Sequence, residues 1–560
     1  MTDLTAPPAT STREFTIPEL VDAVAAAIPD REVVVFRDRR LTQAQLAERS
    51  RRFATFLKKN GFGVHTERNG LEGHEVGQDT LGIYAYNGNE YLESMLGAFR
   101  ARTAPFNVNY RYVQTELRYL LADAEATAIV YHAAFAPQLA EVLPSLPHVR
   151  LLIQIADDSG NSLLPGAVDY ETALAESDPE PVTEHPSPDD LYMLYTGGTT
   201  GMPKGVLWRQ HDIFMAACGG RDVYSGTCIA SPDEVATRAA GNPGLTLFVL
   251  PPLIHGAAQW AALTAILTGQ TLVFSPVVDR LDPSVVAQTI ATERPNVLMM
   301  VGDAIARPLA AEFADTDVDL SSVSILANGG AVLSPTAKQR LLDRFPAAVV
   351  IDGVGSSETG AQMTHVSNAN AVSTGKFTPG NNTCVLTENL GAIAEPGHDG
   401  IGWLAQCGFV PLGYKGDPAK TAATFPTIDG ERFTLPGDRA RRLEDGSIAL
   451  LGRDSVTINS GGEKIFVEEV EVAIGSHPAV ADVLVAGRPS DKWGEAVVAI
   501  VELLPGHTAT ADDIAAHASE SIARYKLPKS VLFTSEIRRS PVGKADYRWA
   551  KEQAATLGTA

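Results

Sequence analysis

The sequence predicts an α/β protein: a large unit of layered parallel sheets and helices, followed by a small α+β unit at the carboxyl end. Three observations carry that expectation. Short apolar runs alternate with stretches of helical period through most of the chain, the pattern of strand–helix–strand crossovers. Several of those runs end in glycine, as in "SILANGG" (324–330) and "AVVIDGVG" (348–355), and glycine at a strand's carboxyl end lets a ligand approach the backbone. After "LGRDSV" (451–456) the texture restarts as helix, strand, strand, helix. The 560 residues exceed one hydrophobic core, and the expected division is residues 1–454 and 455–560.

Taken in order, "LTQAQLAERSRRFATFLKKN" (41–60) has helical period, with Thr42 as its cap. A polar insert covers residues 64–79, followed by an apolar strand, "TLGIYAY". Residues 90–104 read as a helix leading into "APFNVNYRY", 115–124 as another, and "ATAIVYHA" as a buried strand. "VLMMVG" (297–302) is a further strand-to-glycine transition. From about residue 380 the segments shorten around Gly, Pro and Asp turns. The last unit reads as a helix in "VEEVEVAIGSH", strands in "VADVLVAG" and "EAVVAIVEL", and a helix over 511–523.

The net charge of −22 argues against nucleic-acid or acidic-membrane partners, which select a lysine and arginine excess. Cys218, Cys228, Cys384 and Cys407 form no metal-ligand spacing, so no zinc site or disulfide framework is expected. The start, "MTDLTAPPATSTREF", lacks the basic and apolar regions of a secretory signal. The apolar region Leu245 to Phe274 is interrupted by Pro251, Pro252, His255, Gly256 and Gln259, which makes it buried strand and helix and not a membrane span. A cytoplasmic location is expected.

The segment "YTGGTTGMPKGV" (195–206) concentrates four glycines, three threonines and Lys204 between two apolar runs. Backbone N–H groups and hydroxyls in such a loop converge on phosphate oxygens, and Lys204 adds a point charge. It is not the Walker loop, because Pro203 precedes Lys204 and Gly205 follows it. The segment resembles the phosphate loop of the adenylate-forming superfamily, and the resemblance runs from "LTQAQLAERSRRFATFLKKNG" to "SPVGKADYRWAK" with the motifs in the family's order. "NYRY", "NSGGEKI" and "GKADYRWAK" are most similar to actinobacterial fatty-acyl and steroid-side-chain CoA ligases.

The resemblance implies a large adenylate-forming domain, a small mobile domain, and a two-step reaction. A carboxylic acid attacks the α-phosphorus of ATP with magnesium present, and CoA then displaces AMP from the acyl-adenylate. Thr196, Gly197, Gly198, Thr199, Thr200, Gly201 and Lys204 would hold the β- and γ-phosphates. In "DGVGSSETG" (352–360), Glu358 would be the magnesium carboxylate with Thr196 as second ligand. Asp352 and Gly353 would lie beside adenine, Ser357 would keep the family's hydroxyl, and Val354 stands where the family has a stacking tyrosine. Gly329 and Gly330 would lie between adenine and the acyl group. Asp438 and Arg453 would reach the ribose, although Pro436 replaces the family's threonine. His255 would flank the acyl carboxylate, and Trp260 is a candidate pocket wall. Lys544 would stabilise charge during adenylation. Gly461 and Gly462 would pass the pantetheine arm, and Ser455 falls at the hinge where the family has Asp or Lys.

Two rivals keep adenylation and change the acceptor to an amine or a carrier protein. A third, of another class, is an inactive homologue that binds nucleotide or acyl groups; the presence of Lys544, Glu358 and Asp438 speaks against it. The acyl group, the role of the insert at 64–79 and the choice between monomer and homodimer stay open.

Overall fold

The computed structural model describes residues 13–180, 185–196, 202–221, 226–373, 375–460, 463–539 and 544–557. The helix Gln43–Lys59 begins where the sequence places it. Thr42 accepts the Gln45 amide, and Gln45 returns a bond to the Thr42 amide at 2.9 Å. That capping box satisfies two amides that the first turn leaves without helical partners. Its apolar face, including Leu46, Phe53 and Leu57, is buried, and Lys58 and Lys59 complement the negative end of the helix dipole.

Two large sheets carry the main body. In the first, Glu32–Phe36, Thr271–Phe274, Thr246–Val249, Val297–Met300, Ile325–Gly329 and Val349–Ser356 run parallel in that spatial order. In the second, Leu191–Thr196, Ala104–Asn107, Thr80–Tyr84, Ala128–His132 and Leu151–Ile155 run parallel. Both therefore present strand carboxyl ends, where open α/β sheets bind ligands. The apolar region near residue 260 is the strand Thr246–Val249, the helix Gly256–Leu267 and the strand Thr271–Phe274, as expected. Among the described residues no helix is long and apolar enough to cross a membrane.

The shorter segments after residue 355 extend the first sheet in antiparallel fashion, through Gly360–Ser367, Lys376–Pro379, Ile448–Arg453 and Asp438–Arg442. Residues beyond the turn Asp454–Val456 build a separate five-stranded sheet with its own apolar cluster, including Ile458, Val470, Val485 and Val501. Here the helix Ala511–Ala518 stops five residues short of the expected end. A 3-10 turn, Arg524–Lys526, follows.

Candidate active site

Thr196 ends its strand directly opposite Lys204 on the returning strand Lys204–Arg209. Gly197, Gly198, Thr199, Thr200 and Gly201, which complete the loop, lie outside the described residues, as do Gly461 and Gly462. The base of the loop is braced by Asn107, at the end of Ala104–Asn107. Its amide donates to the Tyr195 carbonyl at 2.8 Å and the Ile254 carbonyl at 2.7 Å, and its oxygen accepts the Tyr195 amide at 2.8 Å. One buried side chain thus ties the loop strand to the segment carrying His255. Lys204 pairs with Asp417 at 2.6 Å.

Gly329, at the end of its strand, and Gly353, within the neighbouring strand, face each other in register. A methyl group added at either would meet nothing closer than 3.6 Å. At Gly330, which has φ +84°, the nearest atom would be 3.9 Å away. The glycines leave a slot with backbone walls. The Asp352 carboxylate accepts the Asn328 amide at 3.0 Å and pairs with the fully buried Lys338 at 2.5 Å. Each oxygen thus has one partner, since a buried lysine needs a buried counter-charge. Val354 packs toward the cluster of Met363 and Phe377. Ser357 is fixed by its backbone carbonyl, which accepts the Trp208 indole at 2.8 Å.

Glu358 receives the Tyr414 hydroxyl on Oε1 at 2.8 Å. Asp438 and Arg453 sit opposite each other on neighbouring strands, 3.5 Å apart. Burial raises the Asp438 pKa, Arg453 opposes that, and the charge of Glu358 adds to it. Lys544 comes from the carboxyl-terminal unit and retains solvent access. Its pKa is lowered by the protein packed around it and by Arg453, with Glu358 opposing. His255 is held neutral, its pKa pushed down to about 3 by burial and then by Lys544 and Arg111. Its Nε2 is sealed from solvent with no hydrogen-bond partner among the described residues. Thus Glu358, Asp438, Arg453, Lys544 and His255, from distant parts of the chain, share one electrostatic environment. Trp260 lies in the main core cluster, 8% exposed, with its ring against Gly256. Ser455 is exposed in the turn Asp454–Val456.

Among the described residues no group of three His, Cys, Asp or Glu could hold a metal. One carboxylate, Glu358, and the Thr196 hydroxyl are hard oxygen donors, suited to a magnesium ion that takes its other ligands from phosphates and water. Sequence reasoning missed Asn107, Tyr414 and Asp417, whose roles arise from contacts distant in sequence. The insert at 64–79 is a buttress: His74 accepts the Gly416 amide at 2.9 Å. Gln78 accepts the Leu191 amide at 2.8 Å and donates to Arg102, so the insert supports both the Tyr414 segment and the loop strand.

Residues 21–414 match the family profile described as AMP-binding enzyme, and residues 469–544 match the AMP-binding enzyme C-terminal domain. The chain belongs to the AMP-binding enzyme family. It is 63% identical to the medium-chain acyl-CoA ligase Mig of Mycobacterium avium, over 97% of this chain and 99% of that one. It is 41% identical to a medium/long-chain-fatty-acid–CoA/3-oxocholest-4-en-26-oate–CoA ligase of Mycobacterium marinum, with 96% of each chain covered. In structure it matches the anthranilate CoA ligase AuaEII in complex with anthranoyl-AMP, with TM-score 0.80, 20% identity and 98% of both chains covered. The protein is an enzyme of the acyl-CoA ligase class, whose members use ATP and CoA as substrates.

Proposed function

We propose that this enzyme couples a medium-chain or bulkier hydrophobic carboxylic acid to CoA through an acyl-adenylate. The observation that carries the reading is the convergence of Glu358, Asp438, Arg453, Lys544 and His255 beside the glycine-walled strand ends. An oxygen of the acid bonds to the α-phosphorus as the bond to pyrophosphate breaks. The CoA sulfur then bonds to the acyl carbon, AMP leaves, and the thiol proton passes to solvent. Lys544 stabilises negative charge at the carboxylate and α-phosphate in the first step. Asp438 and Arg453 hold the ribose, and neutral His255 orients the acyl carboxylate through its unpartnered Nε2. Magnesium bound at Glu358 and Thr196 would neutralise the charge that develops on pyrophosphate.

The division at residue 455 makes the second unit, which carries Lys544 and the 461–462 loop, the mobile domain. The 63% identical relative favours a medium-chain fatty acid as substrate. The test is mass spectrometry of ATP, magnesium and CoA with acids from short to long chain, aromatic acids and steroid-side-chain acids. A thioester from one acid class, lost in Lys544→Ala, supports the reading. Adenylate without thioester points to an amine or carrier-protein acceptor. Absence of adenylate with every acid, alongside intact ATP binding, rejects the reading.

A further inference from the structure

Where the small unit leaves the main body, one carboxylate reaches back. Glu468 lies in the first turn of the helix Val467–Gly475, beyond the hinge turn Asp454–Val456. Its Oε1 accepts the backbone amide of Arg453 at 3.3 Å, on the main-body side of that turn. The neighbouring Gly452, with φ +117°, lies so close that a Cβ there would overlap Glu468 Oε2. That oxygen is itself buried without a hydrogen-bond partner among the described residues. Asp454 is fixed to the main body by its amide, which donates to Gly437 at 3.0 Å. Rotation at residues 455–457 therefore carries Glu468 away from Arg453.

The same helix also contacts the segment that carries Lys544. One turn on, Glu471 accepts the Val485 amide at 2.8 Å and the Tyr547 hydroxyl at 3.0 Å, three residues beyond Lys544. Arg539 and Ala545 bridge the base of the lysine segment, and Arg539 is anchored on Asp482 by two bonds of 2.7 Å. A displacement of this helix is transmitted to Lys544 through rigid contacts. Another contact across the turn, Lys464 to Asp454 at 3.5 Å, is half-exposed, and exposed pairs contribute little. Glu468 instead sets a buried oxygen, Oε2, against the main body.

We propose that Glu468 is a positioning residue, a clasp on Gly452 and Arg453 that holds the small domain with Lys544 in the adenylation site. The inference rests on the two-step reading above. It explains why glycine occupies position 452: a side chain there would expel the clasp. Burial, together with Asp438, raises the Glu468 pKa, while its own amide and that of Arg453 oppose the shift. The Arg453 charge also favours the ionised form, so geometry and charge together hold the carboxylate against the main body.

The two half-reactions separate this role from a structural one. Acid-dependent ATP–pyrophosphate exchange reads adenylation, and synthetic acyl-adenylate with CoA reads thioester formation, both in the full chain. In Glu468→Ala, adenylation should fall at least tenfold while thioester formation stays within twofold or rises. Glu468→Gln, which keeps the oxygen acceptor, should recover most of the adenylation, and Gly452→Ala should reproduce the alanine phenotype. Hydrogen exchange at the Arg453 amide should accelerate in Glu468→Ala. Equal loss in both half-reactions, or unchanged adenylation in Glu468→Ala, overturns the clasp. Lys544→Ala serves as the reference: if it leaves adenylation intact, the two-step reading fails, and the clasp with it. If it abolishes adenylation while Glu468→Ala does not weaken it, only the clasp fails.

Discussion

Tyr414 donates its hydroxyl to Glu358 Oε1 across 2.8 Å, joining two segments 56 residues apart in the chain. The tyrosine is nearly inaccessible, packed against Phe425, and its amide donates to the Thr421 hydroxyl. Glu358 is therefore aimed by a rigid donor. Removing the hydroxyl while keeping the ring should free the carboxylate without opening the core. A hydrogen bond to a charged group contributes about 1.5–3 kcal/mol, so Tyr414→Phe should slow adenylation by roughly ten- to a hundredfold. If Glu358 holds magnesium, the half-saturating magnesium concentration in pyrophosphate exchange should rise as well. An unchanged magnesium titration would remove Tyr414 from the metal's support.

Lys204 meets Asp417 at 2.6 Å, with both side chains about one third exposed. A phosphate bound at the loop must compete with that carboxylate. Asp417→Asn should release the lysine and tighten ATP binding. Because exposed pairs contribute about 0–1 kcal/mol, the gain should be no more than roughly fivefold. It should shrink as salt is added. Calorimetric titration with ATP at two ionic strengths checks both the sign and the screening.

Asn107 satisfies two carbonyls and one amide deep in the protein. Alanine there leaves all three backbone groups without that partner. Each unsatisfied buried group costs about 1–3 kcal/mol, so Asn107→Ala should lower the denaturation midpoint clearly. The loop strand and the His255 segment would also lose their brace, and KM for ATP and for the acid should rise together. Asn107→Asp keeps the acceptor for the Tyr195 amide but turns an anionic oxygen toward the Tyr195 and Ile254 carbonyls, so it should destabilise at least as much as alanine. Equal denaturation midpoints for wild type and Asn107→Ala would count against the brace.

These residues also mark where sequence reading stopped. The parallel strands and their glycine ends were legible because each is a local pattern: "SILANGG" carries its apolar run and its turn within seven residues. Glu358, Asp438 and Lys544 stand out in the sequence because short motifs surround them, and the fold brings them into one electrostatic environment. Asn107 looks like any polar residue after a strand, and only the neighbouring strand and the 251–255 segment give it three partners. The partners of Asp352 were invisible for the same reason. Its motif position suggested a ligand contact, while the buried Lys338 that engages it arrives from the helix Pro335–Arg344. The insert at 64–79 had no readable role, because its support of Gly416 and Leu191 depends on contacts 113 residues away and more.

Glu471 gives the clearest pH dependence. Desolvation, with Glu468 one turn away, pushes its pKa up to about 8 from an ordinary 4.5, against the Val485 amide, Arg539 and the Tyr547 hydroxyl. Glu468 shifts in the same direction, to about 7. A raised folded-state pKa means that the folded protein binds the proton more tightly than the unfolded chain. The stability this supplies is complete below about pH 4.5 and is lost as pH rises through about 7 and 8. Melting of the small domain should therefore fall between pH 5 and pH 9, by an amount on the order of a few kcal/mol at the alkaline end. Glu471→Gln keeps an acceptor for the Val485 amide and has no charge to bury. It should flatten the upper part of that curve and melt higher than wild type at about pH 9. Hydrogen exchange on the helix Val467–Gly475 across that range is the direct readout, and parallel curves for wild type and Glu471→Gln would show that the buried carboxyl does not set the slope.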